Sequence, residues 1–99
     1  MKGQWNSLLG LAFRAKKVVS GEELVLKELR KGRVKLVLLA NDGSPNTKKK
    51  ITDKCAYYQV PVVFTGSRYE LGQAIGKKER VVVAVCEEGF AKKLKLLLE

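Results

Sequence analysis

The 99-residue chain contains no histidine and only two cysteines, Cys55 and Cys86. Neither cysteine lies in a Cys-x-x-Cys pair, so zinc sites of the Cys/His type are excluded and a disulfide framework is not expected. Both have apolar neighbours in sequence, the setting in which a free cysteine serves as a small core residue. The reducing cytoplasm fits this usage. Without histidine there is no imidazole base, and no pair of carboxylates is placed in an obvious apolar cleft. Catalysis has little to stand on, and no cofactor or metal is implied. Long apolar runs are missing as well. Residues 8–13 are interrupted by Gly10 and are too few for a secretory h-region or a membrane span. There is no internal repeat, low-complexity segment or linker.

What is present is basic charge. Twenty Lys and Arg against ten Asp and Glu leave a net +10, a large excess for so short a chain. A polyanionic partner, nucleic acid first, accounts for it. The competing account is a charge excess that serves solubility. A membrane surface fits less well, because the basic residues are spread over several segments instead of one amphipathic helix. The length suffices for one small domain over residues 1–99 with a modest core. An apolar content of 45% is ordinary for a globular protein.

The run Val34-Lys35-Leu36-Val37-Leu38-Leu39-Ala40 is apolar with no period of two, the pattern of a strand covered by helices on both faces. It breaks into Asn41-Asp42-Gly43-Ser44-Pro45, a turn of favoured turn residues. Open α/β sheets bind ligands beyond the carboxyl ends of central strands, so this turn is the first place to look for function. Upstream, Trp5, Leu8, Leu9 and Ala12 predict a helix from about Gln4 to Arg14, and Val18-Val19 a brief strand. Ser20-Gly21-Glu22-Glu23 has the form of a capping box, opening a helix that ends near Gly32. Downstream, Ser44-Pro45 starts a third helix running to about Tyr58, and Pro61-Val62-Val63-Phe64 is a strand. Ser67-Arg68-Tyr69-Glu70 is a second capping-box pattern, with its helix stopping at Gly76. Residues 81–86 are a buried strand, and Phe90, Leu94, Leu97 and Leu98 mark one face of a last helix. Helices alternating with short strands predict an α/β fold: a three-layer α/β/α sandwich with a mixed four-stranded sheet and about five helices.

Three loops carry the candidate site: residues 19–23, 41–50 and 77–82. If they converge at one end of the sheet, they form a basic rim around a helix amino terminus, whose free backbone N–H groups suit phosphate. Lys27 lies one turn in from Glu23 on the same face. Each element also has a plainer reading. Glu23 fits a capping box, Lys48 to Lys50 fit a solvated helix face, and Val81 on period alone belongs to the core. Gly72-Gln73-Ala74-Ile75-Gly76-Lys77 has the wrong spacing for a phosphate loop and follows a capped helix, not a strand.

At these loops the chain resembles the ribosomal protein L7Ae/L30e family of kink-turn RNA-binding proteins. The matching residues are Gly21-Glu22-Glu23-Leu24-Val25-Leu26-Lys27, Arg30-Lys31-Gly32 and Lys35 to Asp42. Most specific is Tyr69-Glu70-Leu71-Gly72-Gln73-Ala74-Ile75-Gly76-Lys77, on which the family's Glu-Leu-Gly-x-Ala-x-Gly falls residue for residue. The resemblance implies the same sandwich and, as partner, RNA bent sharply at tandem sheared G·A pairs, with ribosomal RNA one candidate. By position, Gly21, Glu22 and Glu23 occupy the guanine-reading turn, and Lys27 a phosphate or base contact. Asn41, Asp42 and Lys48 flank it. Glu79, Arg80, Val81 and Val82 form the loop that covers an extruded nucleotide. Where the L7Ae type has Gly-x-Asn-Glu-x-Thr-Lys, this chain has Glu23, Leu24 and Leu26, closer to the L30e type. Glu79 replaces an apolar residue of the covering loop. The expectation is a non-enzymatic, monomeric, cytoplasmic RNA-binding protein with no membrane association. The alternatives are a looser ribosomal RNA binder on the same fold and a protein-interaction module.

Overall fold

The computed structural model describes residues 2–99, with side chains from Gln4 onward. Along these residues run α1 (Lys2–Arg14), β1 (Val18–Ser20), α2 (Glu22–Arg30), β2 (Leu36–Leu39), α3 (Pro45–Tyr57), β3 (Val62–Phe64), α4 (Arg68–Ala74), β4 (Val82–Val85) and α5 (Glu88–Leu98). The strands form one mixed sheet in the order β1-β4-β2-β3. β4 is antiparallel to both its neighbours, and β3 is parallel to β2. Strands β1, β2 and β3 therefore point one way and β4 the other.

The two interior strands are buried along their whole length. Leu36, Leu38, Val83 and Val85 pack on Trp5, Leu9, Leu71 and Leu94, from α1, α4 and α5. Val37, Leu39, Val82 and Ala84 pack on Val25, Leu29, Ile51 and Cys55, from α2 and α3. Successive side chains enter opposite layers, and both layers are apolar, which is why the sequence shows no alternation. Full burial of one such side chain, Leu38 for example, contributes about 1.5–3 kcal/mol. The outer strands β1 and β3 are short and partly exposed, as edge strands tend to be.

The helix starts bear out two of three cap readings. Ser44 Oγ accepts from the Thr47 amide, with Pro45 in the first turn. Ser67 and Glu70 form a complete capping box, with bonds of 3.2 and 2.8 Å. The Ser20 pattern is different. Ser20 is the last residue of β1, paired with Val83 across the ladder, so the cap position falls to Gly21 (φ +95°), with no side-chain cap bond. Ladder pairing, a long-range constraint, overrides a pattern that is satisfied locally. Burial pushes the Cys55 thiol up to about 11. Cys86 is only half-buried, and its thiol is raised by burial and then by Glu28, against an opposing pull from Arg33.

The Glu-Leu-Gly-x-Ala-x-Gly stretch acquires a physical basis here. Glu70 closes the capping box and Leu71 is core. A Cβ added at Gly72 would lie 2.5 Å from the Glu79 Cα, so the backbone of the loop before β4 rests directly on α4. Gly72→Ala must move that backbone. The expected outcome is a loss of about 1–3 kcal/mol, the scale of overpacking. Urea unfolding would show it as a lowered midpoint with an unchanged slope.

Candidate nucleic-acid interface

Strand directions decide where the loops meet. β1, β2 and β3 end, and β4 begins, at the same edge of the sheet, so α2, α3 and α4 all start there. The three predicted loops converge at this rim. The Gly21 amide donates to the Val82 carbonyl at 3.0 Å, and the Ala40 amide to that of Val81 at 2.8 Å. A Cβ on Gly43 would lie 2.7 Å from Val81 Cγ1, so the 41–50 and 77–82 loops touch. A fourth segment, unanticipated from sequence, joins them at the start of α4. There the Arg80 amide donates to the Arg68 carbonyl at 2.9 Å.

The rim's acidic groups are tied down. Glu22 sits 2.7 Å from Lys50 Nζ and accepts a longer 3.4 Å bond from Thr47 Oγ1. Asp42 Oδ1 accepts from the Arg68 amide at 2.9 Å, and Arg68 Nη2 donates to the Asp42 carbonyl at 2.7 Å. The same guanidinium lies 3.5 Å from Asp42 Oδ2 and 3.6 Å from Glu79 Oε1. Arg68 thus holds two carboxylates, one from each flanking loop. Arg80 Nε donates to Ser20 Oγ at 3.1 Å, tying the covering loop to the end of β1. Lys50, Thr47 and Arg68 are the residues that sequence reasoning missed. Lys50 was legible only as one lysine in a run, and nothing local marked Arg68.

The remaining candidates divide. Glu23 and Lys27 are exposed, and no ion pair engages either among the described residues. Leu24 beside them is 52% exposed. Val81 is half-buried at the rim, whereas Val82 is 1% exposed and belongs to the α2/α3 core. Val82 is corrected from contact residue to core. It serves the site only through its carbonyl. Lys48 does not reach α2: its Nζ lies 5.8 Å from the Phe64 ring centroid, at the β3 edge. Asn41 and Asp42 border a cavity of about 570 Å³ with Trp5, Phe64, Leu97 and Leu98, on the α1/α5 side.

Two properties set what this end can do. The first is the open start of α2. Helices α3, α4 and α5 are each capped by a side chain, Ser44, Ser67 and Glu87, but Gly21 offers none. A Cβ at Gly21 would meet nothing within 4 Å, so the space before the helix is clear. The first-turn amides of α2 are left to any acceptor that approaches. The second is charge of both signs, with a basic excess. Lys27, Lys48, Lys49, Lys50, Arg68, Lys77, Lys78 and Arg80 stand with Glu22, Glu23, Asp42, Glu70 and Glu79. The rim is a polar surface of mixed sign, with exposed donors, the Glu23 carboxylate and Lys27 ammonium outside any ion pair among the described residues, and two apolar tips, Leu24 and Val81. Among the described residues there is no His/Cys/Asp/Glu group that could hold a metal ion, and no helix is long and apolar enough to cross a membrane.

Asp42 is the connector on which the rim's shape turns. Asp42→Ala removes the acceptor for the α4 amide and leaves Arg68 with Glu79 as its one carboxylate, beside the backbone carbonyl of position 42. The expected cost is about 1–2 kcal/mol, the scale of partly exposed charge-assisted bonds. Hydrogen exchange would locate it as faster exchange at the Arg68 and Arg80 amides.

Known proteins share this architecture. The RNA-binding protein YlxQ of Bacillus subtilis (strain 168) is 62% identical over 96 residues, covering 97% of this chain and 96% of that one. The large ribosomal subunit protein eL30B of Schizosaccharomyces pombe is 34% identical over 90 residues, covering 85% and 74%. A solved structure of a protein of unknown function from Bacillus halodurans C superposes with a TM-score of 0.93 at 52% identity, covering 96% of each chain. Residues 3–95 match the model of the Ribosomal protein L7Ae/L30e/S12e/Gadd45 family, and the chain belongs to that family.

Proposed function

We propose that this protein binds structured RNA, without catalysis, through the start of α2 and the loops packed around it. We propose further that its preferred target is a kink-turn or a similarly bent internal loop. The observation that carries this reading is the uncapped, sterically open start of α2 beside exposed Glu23, Leu24 and Lys27. Regular A-form RNA hides its base edges in a deep, narrow groove, so a helix start of this kind needs a deformed target. At a sharp bend with sheared G·A pairs, guanine edges are exposed. There the α2 amides donate to oxygens, and the Glu23 carboxylate accepts from guanine N–H groups. Lys27 meets a phosphate, and Leu24 and Val81 offer apolar contact to an unstacked base.

The pairing of the other acids supports the same reading. Glu22, Asp42 and Glu79 have cations within 2.7–3.6 Å, so they do not present bare negative charge to a phosphate backbone. The names of the relatives agree in class, since one is called an RNA-binding protein and another a ribosomal subunit protein.

A titration at about 150 mM salt tests the proposal. It compares a kink-turn stem–loop with the same helix in which Watson–Crick pairs replace the G·A pairs. The expected outcome is clear preference for the kink-turn. Lys27→Ala is expected to weaken that complex by roughly 1.5–3 kcal/mol, as for a lost bond to a charged group. Equal affinity for both RNAs would contradict the kink-turn reading, and unchanged affinity in Lys27→Ala would remove the α2 start from the interface.

A further inference from the structure

The net charge of +10 is spread over the surface, and the rim carries only part of it. A second group of cations lies at the opposite edge of the sheet. There β1, β2 and β3 begin, β4 ends, and α1 and α2 terminate. Lys16 and Lys17 immediately precede β1, while Arg30, Lys31, Arg33 and Lys35 lie between the last turn of α2 and β2. All six are exposed. The backbone brings the two groups together across β4: the Cys86 amide donates to the Lys17 carbonyl and the Lys35 amide to the Val85 carbonyl, both at 2.8 Å. Lys16, Lys17, Arg33 and Lys35 line one concavity of about 430 Å³. Glu28 reaches into it, 3.7 Å from Arg33. Glu87 and Glu88, which follow β4 at this edge, are engaged by the Phe90 amide and by Lys92.

One lysine of this group has an uncommon backbone conformation. Lys16 has φ +62°, the left-handed conformation that a non-glycine residue adopts only at a cost. It closes α1 as Gly32 closes α2. The Lys16 amide bonds to the Phe13 carbonyl and the Lys17 amide to that of Ala12, matching Gly32 to Leu29 and Arg33 to Glu28. Glycine is the preferred residue at such a position. The chain instead has a lysine there, as it has Gln59 (φ +60°) at the end of α3, so the position tolerates a side chain and here that side chain adds charge to the edge.

We infer that this edge is a second RNA-binding surface. It holds phosphates of a regular duplex segment by charge, while the rim holds the bent loop. The two lie at opposite ends of a body with extents of 30 × 27 × 23 Å, so one protein bridges two RNA segments. The inference rests on the RNA reading of the rim but not on its kink-turn preference. Because basic groups at helix carboxyl ends also offset the local dipole, the test separates binding from stability.

Two RNAs are titrated across a range of salt: a kink-turn stem–loop too short to reach beyond the rim, and a plain duplex of comparable length. The principal variant is Lys16→Gln/Lys17→Gln/Lys31→Gln/Lys35→Gln. The expected outcome is at least a tenfold loss of duplex affinity, a salt slope shallower by roughly 2–4 (about 0.9 per phosphate contact), and stem–loop affinity within twofold of the original. Lys16→Gly serves as the second variant. It relieves the left-handed strain, so its melting temperature is expected to rise while its duplex affinity falls, a pair of changes that a purely structural lysine would not give. Undiminished duplex binding by the fourfold variant would overturn the inference. Wild-type protein that binds both RNAs equally, with the variant losing both, would contradict the rim's preference and still support the basic edge. No binding of either RNA by the wild-type protein would overturn both.

Discussion

The structure depends on burying β2 and β4 on both faces while they run antiparallel to one another. Each strand places alternate side chains in separate apolar layers, one against α1, α4 and α5 and the other against α2 and α3. Because β1, β2 and β3 share a direction opposite to β4, the starts of α2, α3 and α4 are forced to one edge. The same geometry sends the ends of α1 and α2 to the other edge. Neither surface would exist without that arrangement. The 41–50 and 77–82 loops need no rigid structure of their own, since they hang from β2 and β4, which are buried along their whole length.

Electrostatics then separates the two edges. At the rim, acids and bases are interspersed, and the pairs among them do architectural work. Arg68 joins the turn after β2 to the loop before β4 through Asp42 and Glu79. Lys50 joins α3 to α2 through Glu22. Such a surface is suited to reading shape and hydrogen-bonding edges, where repulsion by unmatched groups enforces selectivity. The far edge, with its exposed lysines and arginines, is suited to a contact set by phosphate charge and sensitive to salt. One sum of charges, +10, therefore describes two unlike surfaces.

What was legible in the sequence was what depends on near neighbours. The unbroken apolar run around Leu38 marked an interior strand, Ser67 with Glu70 marked a true cap, and Glu70 to Gly76 carried the family likeness. Misreadings arose wherever distant pairing decides. Ser20 with Glu23 has the letters of a capping box, yet the register of β1 against β4 takes Ser20 into the ladder. Val81 and Val82 are alike by composition, and only their positions relative to β4 leave one at the rim and the other in the core. Arg68 offered no local signal, since its partners Asp42 and Glu79 come from separate loops. The distribution of charge was hidden for the same reason: it follows from strand direction, which residue order alone does not state.

The central claim is that the open start of α2 is the surface that meets RNA. Backbone amide chemical shifts followed during titration with a kink-turn stem–loop test it most directly. The account expects the largest changes at the amides of Gly21, Glu22, Glu23 and Leu24 and at Val81, with little change along α5. Binding that leaves those amides unmoved, with the shifts confined to residues 16–18 and 31–35, would contradict it.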